Sequence, residues 1–419
     1  MYLGINVGKS CNMKCKYCCE FPKTEEPISY EQIEAFLYAV FSDYNPLNLK
    51  LSDNINFGFI GGEPLLYMDK IEFATNLFFY ITDKCDFVDN DKCQLCIATN
   101  GTLLDTQPVK EYIKKYGDYI TLSVSLDGIK EANDINRIYL NGEGTFDKIL
   151  YNYNHVSKVK HKYLGAVLSY NNVKYAFESI KFFMENDFDV EINSVRDRDA
   201  SIIERKTYIE QLDKCIDWYA HKSDKWVLEH RVKFARRQFC PQFMLDSHFS
   251  KACVEHQINN VVVPEGKFYT NYRCNNNAPK FVINGDDIDF LNSEIIRNLE
   301  DCDDLKFNKT SPCYRCVLGG GFTDCNGKYM DSCNFKIFFY LLQVFFSTYW
   351  LIIKQRYGGL KEHKIDLVVP KKEALRVISE QQYDYIVSLI KETKGDITPL
   401  DSMFYSEEQA EALSNMCKD

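Results

Sequence analysis

The stretch Tyr2-Leu3-Gly4-Ile5-Asn6-Val7-Gly8-Lys9-Ser10-Cys11-Asn12-Met13-Lys14-Cys15-Lys16-Tyr17-Cys18 decides the fold and points to the chemistry. It opens as a short, mostly apolar run of the kind a buried strand needs, and three cysteines follow at once in a C-x3-C-x2-C spacing. Working outward, similar runs recur at Ile55–Ile60, Gln94–Thr99, Ile120–Leu126, Tyr163–Ser169 and Asp187–Asn193. Helical patterns lie between them. One starts at Ser29, a plausible N-cap with Gln32 three residues on, and puts Ile33, Phe36, Leu37, Val40 and Phe41 on one face. Another carries Val173, Ala176, Phe177, Ile180 and Met184. Strands alternating with helices predict a parallel sheet, because parallel neighbours need crossover connections. The expected fold class is α/β, with a curled sheet or partial (β/α)6 barrel over residues 1–198. In barrel-like parallel sheets the chemistry gathers at the C-terminal strand ends. The motifs treated next fall there.

Bulk composition narrows the classes. The chain has 419 residues, 45% hydrophobic and 26% charged, with a net charge of −10. That is the balance of a folded globular protein with room for two or three domains. No global basic surface recruits nucleic acid or an anionic membrane. The basic run from Arg231 to Arg237 reads as a solvated helix face, with an acidic partner peptide as the alternative. Met1 leads into Tyr-Leu-Gly-Ile-Asn-Val without a basic region and a long apolar run, so a cytoplasmic location is expected. The apolar run Phe335 to Ile353 has the length of a membrane span. Its aromatics, Lys336 and Gln343 favour a buried helix instead, so no membrane association is expected.

Seventeen cysteines in such a chain suggest metal rather than disulfides, and they are grouped. A cubane 4Fe–4S cluster normally takes four cysteines. The thiolates of Cys11, Cys15 and Cys18 would hold three irons and leave one open to the amino and carboxylate groups of S-adenosylmethionine. A zinc site is the competing reading, but zinc prefers paired C-x2-C elements and four ligands. Cys19 is off the pattern.

Spacing, position after the first strand and the aromatic Tyr17 before the last cysteine resemble the radical S-adenosylmethionine (radical SAM) superfamily. The resemblance implies a partial (β/α)6 barrel, a 4Fe–4S cluster and S-adenosylmethionine as cofactors, and a 5′-deoxyadenosyl radical as the product of cleavage. Further motifs agree. Gly61-Gly62-Glu63-Pro64 after the second strand resembles the family's glycine–glycine–glutamate–proline element. Glycines allow close backbone approach to a ligand, and the carboxylate is expected to receive the methionine ammonium. Thr99-Asn100-Gly101 ends strand three, and Ser125-Leu126-Asp127-Gly128 ends strand four with Ser125 near the ribose. Asn133-Asp134-Ile135-Asn136-Arg137 resembles a His-Asp-x-x-Arg element whose Arg would pair with the methionine carboxylate; Asn133 replaces the His. For Asn100, Ser125 and Arg137 singly, turn or capping duty stands beside cofactor contact.

From residue 240 onward come Cys240, Cys253, Cys274, Cys302, Cys313, Cys316, Cys325 and Cys333, the number that two fully ligated 4Fe–4S clusters need. Cys253, Gly266, Cys274, the pair Cys313-Tyr-Arg-Cys316, glycines 319–321 and Cys333 resemble the SPASM extension, which holds auxiliary clusters in radical enzymes acting on peptides. The spacing departs from that family's: Gly-x7-Cys replaces Gly-x4-Cys, the second group is stretched, and Phe322 takes the usual third cysteine's place. One split assigns Cys240, Cys253, Cys274 and Cys325 to one cluster and Cys302, Cys313, Cys316 and Cys333 to the other. A structural zinc site at Cys313/Cys316, or a cluster left open to a substrate thiolate, are the alternatives. Cys93 and Cys96 flank Gln94-Leu95 on a strand and read as packing. The expected domains are the barrel (1–198), a helical bridge (199–250), an irregular SPASM-like domain (251–334) and a helical tail (335–419).

Taken together, the resemblance implies an oxidoreductase that modifies a peptide or protein, forming a crosslink such as a thioether or carbon–carbon bond on a ribosomally made precursor. Its partners would be that precursor and an external flavodoxin- or ferredoxin-type electron donor; with only ten residues before Cys11, peptide docking is expected to fall to the 199–250 bridge, the C-terminal tail or a separate peptide-recognition protein. A sulfatase-type formylglycine maturase is the second reading. Those relatives place an Asp after the cysteine equivalent to Cys274, where this chain has Asn275, which cannot take a proton. A non-catalytic iron–sulfur protein for binding or electron transfer is the third. No general acid or base is evident among the histidines.

Overall fold

The computed structural model describes residues 1–18, 26–42 and 53–194, isolated positions between 203 and 218, and 259–269, 281–284 and 287–290. In chain order the elements are β1 (Tyr2–Gly8), α1 (Tyr30–Phe41), β2 (Asn56–Gly61), α2 (Met68–Thr82), β3 (Gln94–Thr99), α3 (Gln107–Tyr116) and β4 (Ile120–Ser125). They continue with α4 (Lys130–Asp134), α5 (Phe146–His155), β5 (His161–Leu168), α6 (Ala176–Glu185) and β6 (Val190–Ser194). Four short strands complete the series: β7 (Asn259–Val262), β8 (Lys267–Tyr269), β9 (Phe281–Asn284) and β10 (Asp287–Phe290).

Two compact units divide the described residues. The first draws on Met1–Leu126, Arg137–Tyr163 and Glu255–Asp303, the second on Asp127–Asn136 and Leu164–Val254. In the first, β1, β2, β3 and β4 are successive parallel neighbours, with Ile5 opposite Phe59, Phe59 opposite Ile97 and Thr99 opposite Val124. Their C-terminal ends therefore share one edge, as the alternating pattern predicts. In the second, β5 and β6 pair in parallel from Leu164↔Val190 to Leu168↔Ser194.

Burial explains these assignments. Residues 3–8 of β1 lie inside, the run of a strand covered on both faces. Leu3, Ile5 and Val7 are fully buried, as are Phe57 and Phe59 of β2. The Phe57 ring stacks on Phe78 of α2 at 4.7 Å. Helix α1 starts where its capping box predicts. Ser29 Oγ accepts from the Gln32 N–H, and Gln32 Oε1 accepts from the Ser29 N–H. Its buried face carries Ile33, Phe36, Leu37 and Val40. The second helical pattern opens as a 3-10 turn at Val173–Tyr175 before α6, and Phe183 is buried where Phe177 is half-exposed.

One expectation is corrected. The segment from 251 was read as irregular, yet it holds four strands. β7 lies parallel to β1 from Tyr2↔Asn259 to Ile5↔Val262, and β8, β9 and β10 follow antiparallel. Gly266, read as part of a cluster motif, is a turn residue here. Its φ is +70°, and its N–H donates to the Val263 carbonyl at 2.8 Å to close the β7–β8 hairpin. Strands of three or four residues leave too few alternations to register as periodic. Their partner, the outer edge of β1, is remote in sequence.

Among the described residues no helix is long and apolar enough to cross a membrane. The runs 231–237 and 335–353 lie outside the described residues.

Candidate active site

The loop after β1 carries Cys11, Cys15 and Cys18, none of them in a disulfide and all partly exposed. The motif at the end of β2 holds the root of this loop. The Gly62 N–H donates to the Gly8 carbonyl and the Glu63 N–H to the Ser10 carbonyl, each at 2.9 Å. Gly61 has φ +145°, and a Cβ there would stand 2.2 Å from the Gly8 carbonyl oxygen. At Gly62 a Cβ would stand 2.3 Å from the Ser10 oxygen and 2.4 Å from that of Lys9. The glycines therefore allow the loop itself to come close, where the sequence reading gave that approach to a ligand. Tyr67 seals the other side, its hydroxyl accepting from the Ser10 N–H at 3.2 Å. Lys9 pairs with Glu265 in the β7–β8 turn. Both ends of that pair keep some exposure, so its contribution is modest.

Glu63 is fully buried. Its Oε1 accepts from the Thr99 hydroxyl at 2.7 Å and the Leu65 N–H at 3.1 Å, while Oε2 accepts from the Asn100 N–H at 2.7 Å. Burial pushes this carboxyl above the ordinary glutamate range; the three donors and the Arg137 charge pull it back. The carboxylate expected to meet a ligand ammonium is instead engaged by protein donors, joining the ends of β2 and β3. A Glu63→Gln change presents an N–H₂ group to one of those donors. It is expected to cost about 1–3 kcal/mol, the penalty of an unsatisfied buried group. Thermal unfolding of the metal-free protein checks this, and an unchanged Tm would contradict the clamp.

Asn100 sits just past β3. Its Oδ1 accepts from the Thr102 N–H at 2.9 Å and the Thr102 hydroxyl at 2.7 Å. Its Nδ2 donates to Asn12 Oδ1 at 2.8 Å and lies 3.8 Å from Cys11 Sγ. The Met13 N–H also points at Cys11 Sγ, at 3.4 Å. Asn12 and Thr102 are contributors that none of the sequence motifs includes.

Arg137 is buried, and its guanidinium carbon lies 5.4 Å from the centre of the Tyr17 ring, within cation–π range. It is held there because the next residues bridge the cysteine loop: the Lys14 N–H donates to the Ile138 carbonyl at 2.9 Å, and Met13 bridges Tyr139. The structure thus brings Tyr17 and Arg137 to the same loop as the cysteines. Ser125 is half-buried at the end of β4. In the second unit, Asn133 is fully buried, and its Oδ1 accepts from the Asp127 N–H at 3.2 Å. The side chain that replaces the expected His thus braces the turn after β4.

Cys93 is fully buried, and burial pushes the Cys96 thiol up to about 11, in keeping with packing. Among the described residues no three Cys, His, Asp or Glu side chains are drawn together as a ready chelate. Three thiolates repel one another, and metal–sulfur bonds couple site geometry to binding. The donor set itself fits a cubane's three-cysteine attachment: three thiols outside any disulfide on one tethered loop, with N–H groups aimed at the first. Cys240, Cys253, Cys274, Cys302, Cys313, Cys316, Cys325 and Cys333 lie outside the described residues.

With that geometry in place, the comparison is specific: residues 5–183 match the family model described as the Radical SAM superfamily. That family uses a 4Fe–4S cluster and S-adenosylmethionine. More particularly, the chain is similar to the uncharacterized protein MJ0907 of Methanocaldococcus jannaschii, 31% identical over 44% of this chain and 58% of that protein. It is also similar to a cysteine-type anaerobic sulfatase-maturating enzyme of Clostridium novyi, 26% identical over 51% of this chain and 58% of the enzyme. The match spans little more than half the length of these relatives. A solved structure, native anSMEcpe with bound AdoMet, shares the fold with a TM-score of 0.54 at 17% identity, covering 81% of this chain and 96% of that one.

Proposed function

We propose that this protein is a radical SAM enzyme that oxidatively modifies a peptide or protein. The observation that carries this reading is the C-x3-C-x2-C loop, rooted on the Gly61-Gly62-Glu63 element at the shared C-terminal edge of β1–β4. In this reading Cys11, Cys15 and Cys18 hold a 4Fe–4S cluster with one iron left to S-adenosylmethionine. When bound, that cluster supplies an electron to the sulfonium, whose carbon–sulfur bond breaks to give a 5′-deoxyadenosyl radical able to take hydrogen from the substrate.

The chain's own residues then have distinct work. Arg137 offers a fixed positive charge for a carboxylate, stacked on Tyr17. Ser125 offers a hydroxyl at the end of β4. Glu63, Thr99 and Asn100 act as positioning residues that hold the strand ends in register. The eight cysteines from Cys240 to Cys333 would hold auxiliary clusters able to take up an electron, and an external flavodoxin- or ferredoxin-type protein would be the electron donor. The domain division stands in this proposal as barrel, bridge, SPASM-like region and tail.

A peptide substrate is supported by a second anSMEcpe structure, which contains AdoMet and the Kp18Cys peptide. The Clostridium novyi relative favours formylglycine formation as a second reading, against which Asn275 stands. Assay of a short cysteine-bearing sulfatase peptide separates the two. Formylglycine in that peptide would establish the second reading, and its absence, with modification of a different precursor, the first.

Replacement of Cys313 and Cys316 by Ala is expected to remove about four irons and leave S-adenosylmethionine cleavage within about threefold of wild type, while turnover of the peptide stops. Equal loss of both activities in an otherwise folded variant would undo the auxiliary assignment. Iron analysis and quantification of 5′-deoxyadenosine read both outcomes.

A further inference from the structure

We infer that Asn100 is a positioning and tuning residue for the Cys11 thiolate, donating to its sulfur, with its amide orientation locked by Thr102 and Asn12. This rests on the proposed cluster at Cys11, Cys15 and Cys18 and assigns a role to a side chain that sequence reading put in contact with the nucleotide cofactor.

Hydrogen-bond accounting fixes which end of the amide meets the sulfur. The Thr102 backbone N–H is a donor and nothing else, so the Asn100 atom facing it at 2.9 Å must be the oxygen. The N–H₂ group then faces Asn12 and Cys11. One of its hydrogens goes to Asn12 Oδ1, at 2.8 Å, and the other is directed at Cys11 Sγ. Asn12 is locked in the same way: its Nδ2 donates to Thr102 Oγ1 at 2.8 Å, and that hydroxyl's own proton goes to Asn100 Oδ1. A flip of either amide would set donor against donor or acceptor against acceptor. Below the side chain, the Asn100 N–H is clamped by Glu63. Gly101, at φ +79°, turns the chain so that Thr102 reaches back.

Two members of the ring are shielded from water, Asn100 being 7% and Thr102 4% exposed, while Asn12 and Cys11 are partly exposed. A hydrogen bond to a thiolate is stronger there than in solvent. Donors to cluster sulfurs spread negative charge and favour the reduced, more negative state, which raises the potential. The Met13 N–H and the Asn100 amide both point at this sulfur, and the second belongs to a side chain that can be replaced without altering the backbone of the cysteine loop.

The test is an EPR-monitored redox titration of the anaerobically reconstituted full chain, following the signal that responds to S-adenosylmethionine, in wild type, Asn100→Asp, Asn100→Leu and Thr102→Val. Leu removes the donor. Asp also sets a negative oxygen beside the sulfur. Thr102→Val frees the amide while keeping it. The expected result is a midpoint shifted to more negative potential, largest in Asp and smallest in Thr102→Val, with iron content near wild type. A tenfold fall in the reduced-to-oxidised ratio at fixed ambient potential reads as about 59 mV for one electron. Unchanged midpoints in the iron-loaded Asn100 variants would overturn the inference. If those variants lose the cluster, Thr102→Val decides, and an unshifted midpoint there overturns it. Failure of the underlying reading looks different: Cys11, Cys15 and Cys18 changed to Ala would then leave iron content and the responding signal intact.

Discussion

Alanine at Cys11, Cys15 and Cys18 together is expected to remove about four irons per chain and to take 5′-deoxyadenosine formation below detection. The size of the effect follows from losing all three ligands of the motif at once. Cys93 is fully buried just before β3, and burial pushes the Cys96 thiol up to about 11, so neither is a ready substitute. Open coordination at a single iron requires the other three to be held by protein, and without those ligands the substrate sulfonium has no electron source. The fold is expected to survive, because the loop's attachments are made by the main chain of Gly8, Ser10 and Lys14 rather than by the thiols. A near-native Tm alongside lost iron and lost cleavage is the expected pattern. Cleavage that persists in the triple variant would refute the site.

Gly62→Ala is expected to have the second largest effect. The new methyl would meet two main-chain oxygens, Ser10 at 2.3 Å and Lys9 at 2.4 Å, and backbone cannot swing aside as a long side chain can. Relief requires the loop root to leave the end of β2, at a cost on the order of 1–3 kcal/mol for overpacking. Displacing the root moves Cys11, one residue beyond Ser10. Iron retained after desalting should therefore fall by roughly the four atoms of one cluster as the Tm drops. Gly142 supplies the control. Unlike Gly62 it has a positive φ, +94°, and a Cβ there meets nothing within 4 Å. Gly142→Ala should show only the backbone penalty, about 1 kcal/mol, with iron unchanged. Full iron retention in Gly62→Ala would show that the close packing does not position the cysteines.

The parallel core was legible because its signals are local. Gln94–Thr99 was located to the residue, and β1, β2 and β4 to within a residue at each end. Ser29 and Gln32 announced α1 through a pairing confined to four residues. What escaped depends on non-local partners. The strands β7–β10 are short, and the first of them is tied to the sheet by the edge of β1, more than 250 residues earlier, with β8–β10 added by antiparallel pairing. The same holds for the site. Three cysteines in eight residues advertise themselves. Thr102 and Asn12 are small polar residues that look like ordinary turn formers, and their roles appear only when the loops after β1 and β3 meet. Glu63 stands out in the sequence through its Gly-Gly-Glu-Pro motif, and its buried position gives its carboxylate to Leu65, Thr99 and Asn100. A motif marks where a side chain matters, and burial decides what it touches.

Low-temperature EPR of the dithionite-reduced holoprotein, recorded before and after adding S-adenosylmethionine, tests the central claim most directly. A 4Fe–4S signal that changes on addition, with the change absent from the Cys11/Cys15/Cys18 triple variant, is the expected result. A spectrum indifferent to S-adenosylmethionine in protein fully loaded with iron would contradict it.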